Sequence, residues 1–227
     1  MDKNKTIKVL LVEDEPLTID AYKLALNRTA SLYENLKFHI DSANNCDKAL
    51  LKLKRTETND CFDIVFLDMR IPPSKDGNIL SGEDLGIKIR NTYENIKIIV
   101  STSYNDAFRI SSILKSVNPD GFLVKGDLSS TLLVESIKAV ISSATYYSQT
   151  VLQILRKQAT NDFVVDSIDR KMLHELSNGT KMNELPQVLP LSIAALERRK
   201  RLLRDIFNVV GKGDRDLLIA ARERGFI

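Results

Sequence analysis

The chain of 227 residues has no tryptophan, two cysteines and two histidines. Cys46 and Cys61 are too few and too isolated for a disulfide framework or a metal knuckle, and each reads as a small apolar residue. His39 and His174 have no ligand spacing around them. No apolar run approaches the ~20 residues that span a bilayer. The N-terminus opens on Asp2 among alternating lysines rather than on a signal peptide, so the expectation is a cytoplasmic protein without membrane association. Repeats and low-complexity tracts are also missing. Charge of one sign is scarce: the formal net charge is +3, too small to imply a partner until its distribution is known.

That distribution is uneven. Residues 1–142 carry 19 lysines and arginines against 20 acids, whereas residues 163–227 carry 12 against 9. With 43% hydrophobic side chains the length suffices for two domains, each with its own core. Short apolar runs at 8–12, 64–67, 97–100 and 121–124 lack polar alternation, as strands buried on both faces do. With a further short run at 38–43 and helical spacing between the runs, they predict five βα units. The implied fold is α/β, a doubly wound five-stranded parallel sheet. Beyond Ser143 the pattern changes: 146–157 has the spacing of one amphipathic helix and 158–162 is polar, which makes 143–162 a linker. From 163 onward only short helices are expected, near 168–177, 183–188, 193–208 and 214–224, so a small all-α domain closes the chain.

In a parallel sheet the carboxyl ends of the strands share one edge, where open α/β sheets bind ligands. Glu13, Asp14, Asp68, Thr102 and Lys125 each follow or end such a strand and can converge there. Carboxylates brought together repel one another unless a cation is present, and hard oxygen ligands with room for water suit Mg2+. The hydroxyl of Thr102 and the ammonium of Lys125 would bind oxygens of an anion, the natural one being a phosphoryl group. Asp68 is then the candidate nucleophile, because carboxylates form aspartyl-phosphates. A lone aspartate at a strand end is more simply a cap; the other four residues are what argue otherwise.

These residues resemble the response-regulator receiver domains of two-component signalling, a flavodoxin-like fold. The match covers about residues 6–142, through Glu13-Asp14, Phe66-Leu67-Asp68 with Arg70-Ile71-Pro72, Val100-Ser101-Thr102-Ser103-Tyr104, and Gly121-Phe122-Leu123-Val124-Lys125. The resemblance implies that Asp68 accepts a phosphoryl group from a sensor histidine kinase. It also implies Mg2+ held by Asp14, Asp68 and the Arg70 backbone carbonyl, with Glu13 acting through water. Thr102 and Lys125 would bind phosphoryl oxygens, and Phe122 would be the aromatic that turns with Thr102, although a plain core role competes. Such a protein is a phosphoacceptor and not an enzyme, with at most self-phosphorylation and self-dephosphorylation. Two departures stand out: the loop 73–81 is longer than usual, and Gly126 replaces the common proline.

In the basic end, a helix closed by Asn178-Gly179, a short second helix, a turn near Pro190 and a basic helix form the helix-turn-helix order. Ile193, Leu196 and Leu203 are expected on its apolar face, and Arg198, Lys200, Arg201 and Arg204 on the other. A solvated charged face is the simpler reading of such a run. The segment from about residue 165 to 227 resembles the LuxR/NarL-type output domain, through Leu176-Ser177-Asn178-Gly179, Leu191-Ser192 with Leu196-Glu197, and the ending Ala220-Ala221-Arg222-Glu223-Arg224-Gly225-Phe226-Ile227. This resemblance implies double-stranded DNA as partner, contacts from Ser192, Glu197 and the four cations, and a homodimer on phosphorylation. Glu197 stands where some members present a lysine. The rival reading is a regulator whose C-terminal helices bind protein. A haloacid-dehalogenase reading fails because Arg70 stands where that family places a second acid. A P-loop fails because Gly211-Lys212-Gly213-Asp214 has the wrong glycine spacing and follows no strand.

Overall fold

The computed structural model describes residues 5–55, 61–157 and 165–227. The polar stretch expected at 158–162 and the boundary at 163 lie outside the described residues. The described residues divide into two compact units, one drawn from Met1–Asn105 and Ser116–Ala159, the other from Asp106–Lys115 and Thr160–Ile227.

The first unit alternates strands with helices: β1 (Lys5–Val12), α1 (Pro16–Ala30), β2 (Leu36–Ala43), α2 (Cys46–Arg55), β3 (Ile64–Asp68), α3 (Gly82–Thr92) and β4 (Lys97–Thr102). There follow α4 (Ala107–Val117), β5 (Gly121–Val124), α5 (Ser130–Ile141), β6 (Tyr146–Tyr147) and α6 (Gln149–Lys157). All neighbouring strands pair in parallel, in the order β2-β1-β3-β4-β5-β6. Every residue of β3 is buried, because alternate side chains point to opposite faces and both faces are covered. One face, with Val9, Leu11, Phe66, Ile99 and Leu123, packs on Tyr22 and Leu26 of α1 and on Leu133, Ile137 and Val140 of α5. Removing any one of these buried aliphatic side chains forfeits about 1.5–3 kcal/mol of transfer free energy alone.

The sheet has six strands rather than the expected five. Tyr146 N–H donates to the Asp120 carbonyl (3.0 Å) and Ser148 N–H to that of Phe122 (2.9 Å), so the first residues of the expected amphipathic helix extend the sheet. The helix begins only at Gln149. Asp127 fixes that start: its carboxylate accepts from the Thr150 N–H (3.0 Å) and hydroxyl (2.8 Å). Burial pushes the Asp127 carboxyl up, but a bond from the Ser148 side chain and then those from Thr150 outweigh it and hold it below its ordinary range.

The second unit holds α7 (Ser167–Ser177), α8 (Ile193–Ile206) and α9 (Asp214–Glu223), together with Asp106–Lys115, which takes in most of α4. Asp166 and Asp169 form a reciprocal capping box at the start of α7. Leu173, Leu196, Leu203, Phe207 and Leu217 lie in its core, with Phe108 partly buried against it. The guanidinium of Arg109 sits 4.7 Å from the centre of the Phe226 ring. The helix expected at 183–188 is only a 3-10 turn, Leu185–Gln187. Pro186 within it and Pro190 after it each lack the N–H that an α-helix requires.

Candidate functional site

Register brings the site together. Val12 pairs with Leu67, Asp68 with Ser101, and Thr102 with Val124, so Glu13, Asp68, Thr102 and Lys125 all stand at the carboxyl edge. Ligand oxygens of Glu13, Asp14 and Asp68 lie within 4.8 Å of one another. Glu13 and Asp68 are buried and Asp14 is exposed, which leaves the cluster open on one side. Lys125 Nζ spans the two buried acids, 2.9 Å from Asp68 Oδ2 and 2.9 Å from Glu13 Oε2. The Arg70 N–H donates to the other Asp68 oxygen at 3.0 Å, which orients the carboxylate at the strand end.

Burial, followed by the neighbouring charge of Asp68, pushes the Glu13 carboxyl up to about 7, although Lys125 pulls the other way. For Lys125, burial works against the ammonium, and the bonds to Glu13 and Asp68 outweigh it, so its pKa rises. Lys125 therefore offsets part of the repulsion between two buried carboxylates. A divalent ion fits the same donor set: three clustered carboxylates, one facing solvent, are hard oxygen ligands, and the Arg70 carbonyl belongs to the same turn.

This balance yields a test. Lys125→Met leaves Glu13 and Asp68 facing each other without a counter-charge, at an expected cost of about 2 kcal/mol after allowing for the partial exposure of the pair. Glu13 binds its proton more tightly folded than unfolded, so its contribution to stability declines as the pH rises from 4.5 to about 7. The loss in the variant should be larger at pH 8 than at pH 6, and Mg2+ should restore most of it. Chemical denaturation at both pH values, with and without Mg2+, checks this; a loss indifferent to both would mean that Lys125 stabilises by packing.

Thr102 is fully buried and its hydroxyl accepts from the Tyr104 N–H at 3.1 Å. Phe122 is fully buried opposite Val100; by strand alternation it shares a sheet face with Thr102 and Val124. The long loop after Asp68 is a closed turn: Ser74 N–H donates to the Ile79 carbonyl (2.8 Å), and Lys75 N–H donates to Asp47 of α2 (3.2 Å). Sequence reasoning missed Asp127 and Ser148. The Ser148 hydroxyl takes the Val124 N–H at 3.2 Å, so the segment carrying Lys125 is tied at both ends to the start of α6. Only a contact between distant segments reveals this.

On α8, Ser192 is the N-cap, its hydroxyl accepting from the Ala195 N–H. Leu196 and Leu203 enter the core as expected, but Ile193 is 42% exposed and shares the outer face with Glu197, Arg198 and Arg201. Lys200 and Arg204 turn instead to Asp214 at the start of α9.

No curated protein matches the chain. Among solved structures, RcsB from Salmonella enterica serovar Typhimurium bound to promoter P1flhDC with the phosphomimetic BeF3− is 17% identical at a TM-score of 0.62, covering 96% of this chain and 100% of that one. The same protein bound to promoter rprA with BeF3− is 18% identical at 0.60, covering 95% and 98%. A structure of two RcsB dimers bound to two parallel DNAs is 16% identical at 0.58, covering 97% and 100%. At such identity the likeness is one of fold, and it extends through the C-terminal helices. The family description "Response regulator receiver domain" matches residues 9–138, the stretch that holds Glu13, Asp14, Asp68, Thr102, Phe122 and Lys125 on one sheet, and the chain belongs to that family.

Proposed function

We propose that this chain is a cytoplasmic, phosphorylation-controlled transcription regulator: Asp68 accepts a phosphoryl group from a sensor histidine kinase, and the C-terminal helices bind double-stranded DNA. The observation that carries the reading is the bridge from Lys125 to Asp68 and Glu13 at the strand edge beside Thr102. An Asp68 carboxylate oxygen attacks phosphorus, the P–N bond to the donor imidazole breaks, and the imidazole leaves with a proton. Asp14, Asp68 and the Arg70 carbonyl would hold Mg2+, with Glu13 acting through water; the ion supplies neutralisation of the phosphoryl oxygens. Lys125 exchanges part of its contact with Asp68 for one phosphoryl oxygen, and the Thr102 hydroxyl binds another. No further catalytic group is needed, so the protein acts as phosphoacceptor.

Two connections support transmission to the C-terminal helices. Thr102 ends β4, and α4, which follows it after a short turn, contributes residues 107–115 to the second unit. The segment bearing Lys125 is bonded to the start of α6. Movement of Thr102 towards a phosphoryl group, with Phe122 turning behind it, would shift the balance between two states and favour a homodimer. One observation favours the second reading, protein binding by the C-terminal helices. Ile193 and Leu202 are 42% and 41% exposed on α8, and exposed apolar side chains suit a protein partner.

A salt titration of the full chain on random duplex, with and without acetyl phosphate and Mg2+, tests the reading. Each cation placed on a phosphate gives a slope of about −0.9 in log affinity against log salt. Contacts from Arg198 and Arg201 predict a slope near −2 that appears or strengthens on phosphorylation. Absence of any salt-dependent binding in the phosphorylated chain would hand the C-terminal helices to the protein-binding reading.

A further inference from the structure

Helix α8 carries five cations, Arg198, Arg199, Lys200, Arg201 and Arg204, and the fold does not leave them equivalent. Arg199 Nη1 lies 2.7 Å from Asp166 and 2.9 Å from Asp169, inside the capping box of α7. Lys200 Nζ lies 3.0 Å from Asp214 Oδ1, and Arg204 Nη2 2.5 Å from the same oxygen. The side chains of Lys200 and Arg204 are only 12% and 28% exposed. Asp214 is the first residue of α9, where the aligned peptide dipoles favour its negative charge. Arg198 and Arg201 are exposed, and no acid pairs with either among the described residues.

Isolated surface pairs contribute little to stability. Here the consequence of interest is electrostatic. A phosphate that approaches Lys200 or Arg204 meets a carboxylate about 3 Å from the same cation, so the net charge offered is small and few counterions are released. We infer that Asp214 is a specificity-determining residue, which holds Lys200 and Arg204 off the DNA backbone and leaves contact to Arg198 and Arg201; this rests on the DNA-binding reading above. Sequence-independent affinity comes chiefly from phosphate contacts, whereas base edges carry the sequence information. Withholding two cations therefore lowers binding to random DNA more than binding to a preferred site.

The test uses the full chain as wild type, Asp214→Asn, Asp214→Glu, the double variant Lys200→Gln/Arg204→Gln, and that pair combined with Asp214→Asn, each titrated with salt on random duplex. Circular dichroism melts accompany each to establish folding. Asp214→Asn should steepen the slope by up to about two units and tighten binding at low salt on the order of tenfold to a hundredfold. Asp214→Glu, which keeps the charge, should stay near wild type. Lys200→Gln/Arg204→Gln alone should leave the wild-type slope nearly unchanged, yet abolish the gain when combined with Asp214→Asn. A wild type that binds with the expected slope while folded Asp214→Asn matches it sinks this inference and spares the DNA-binding reading. A slope flattened by about two units in the double variant alone also sinks it, because the two cations would then already lie on phosphates. Failure of both wild type and Asp214→Asn to bind any duplex overturns both.

Discussion

Asp68→Asn is expected to abolish phosphoryl transfer to this chain, with incorporation from acetyl phosphate in Mg2+ falling to background while the wild type takes up one group at that residue. The substitution keeps the size of the side chain and an oxygen for the Arg70 N–H, which lies 3.0 Å away, and it preserves the strand end. What it removes is the anionic oxygen that must attack phosphorus. An amide is a far weaker nucleophile, and neither Glu13 nor Asp14 stands in the same position at the end of β3. Mass spectrometry of the intact chain and of its peptides reads the result. Labelling that persists in the variant, or that maps to Glu13 or Asp14, would remove Asp68 from its role.

The four central strands were legible because burial on both faces writes an uninterrupted apolar run, and each run ends in or is followed by a polar residue at the carboxyl edge of the sheet. Glu13, Asp68 and Lys125 could thus be brought to one edge before any contact was known. β6 was not legible: two residues, Tyr146 and Tyr147, are too few to show a period of two, and the residues after them repeat at helical spacing. The spacing at 183–188 suggests a helix where the chain makes only the 3-10 turn Leu185–Gln187, which Pro186 and Pro190 mark. Its spacing from Leu196 predicts Ile193 on the apolar face, yet at 42% exposed in the first turn of α8 it stays in solvent.

The least legible feature was which cations of α8 face outward. Spacing along one helix places Lys200 and Arg204 beside Arg198 and Arg201 as apparent equals. The acids that separate them, Asp166, Asp169 and Asp214, come from other helices, and their arrival depends on tertiary packing. Charge along a sequence counts groups; it does not record which are already partnered.

Gly82→Ala is expected to destabilise the receiver unit by about 3 kcal/mol, the upper part of the range for overpacking, and to lower its melting temperature by about 10 °C. A Cβ added at Gly82 would sit 1.9 Å from the Asp68 carbonyl oxygen and 2.9 Å from the Met69 Cα. Both neighbours are backbone, so no side chain can rotate away. Relief requires either the end of β3 to move, which displaces the acceptor, or the first turn of α3 to lift, although Gly82 N–H donates to the Met69 carbonyl at 3.3 Å. Phosphoryl uptake by the folded fraction should fall as well. Gly126, which follows Lys125, is the control: nothing lies within 4 Å of a Cβ there, so Gly126→Ala should leave stability unchanged or slightly raise it by restricting the unfolded chain. Equal losses in the two variants would show that the close approach at Gly82 is not what the fold depends on. A loss confined to Gly82→Ala, with phosphoryl uptake reduced alongside, would show that a glycine fourteen positions after Asp68 sets where its carboxylate stands.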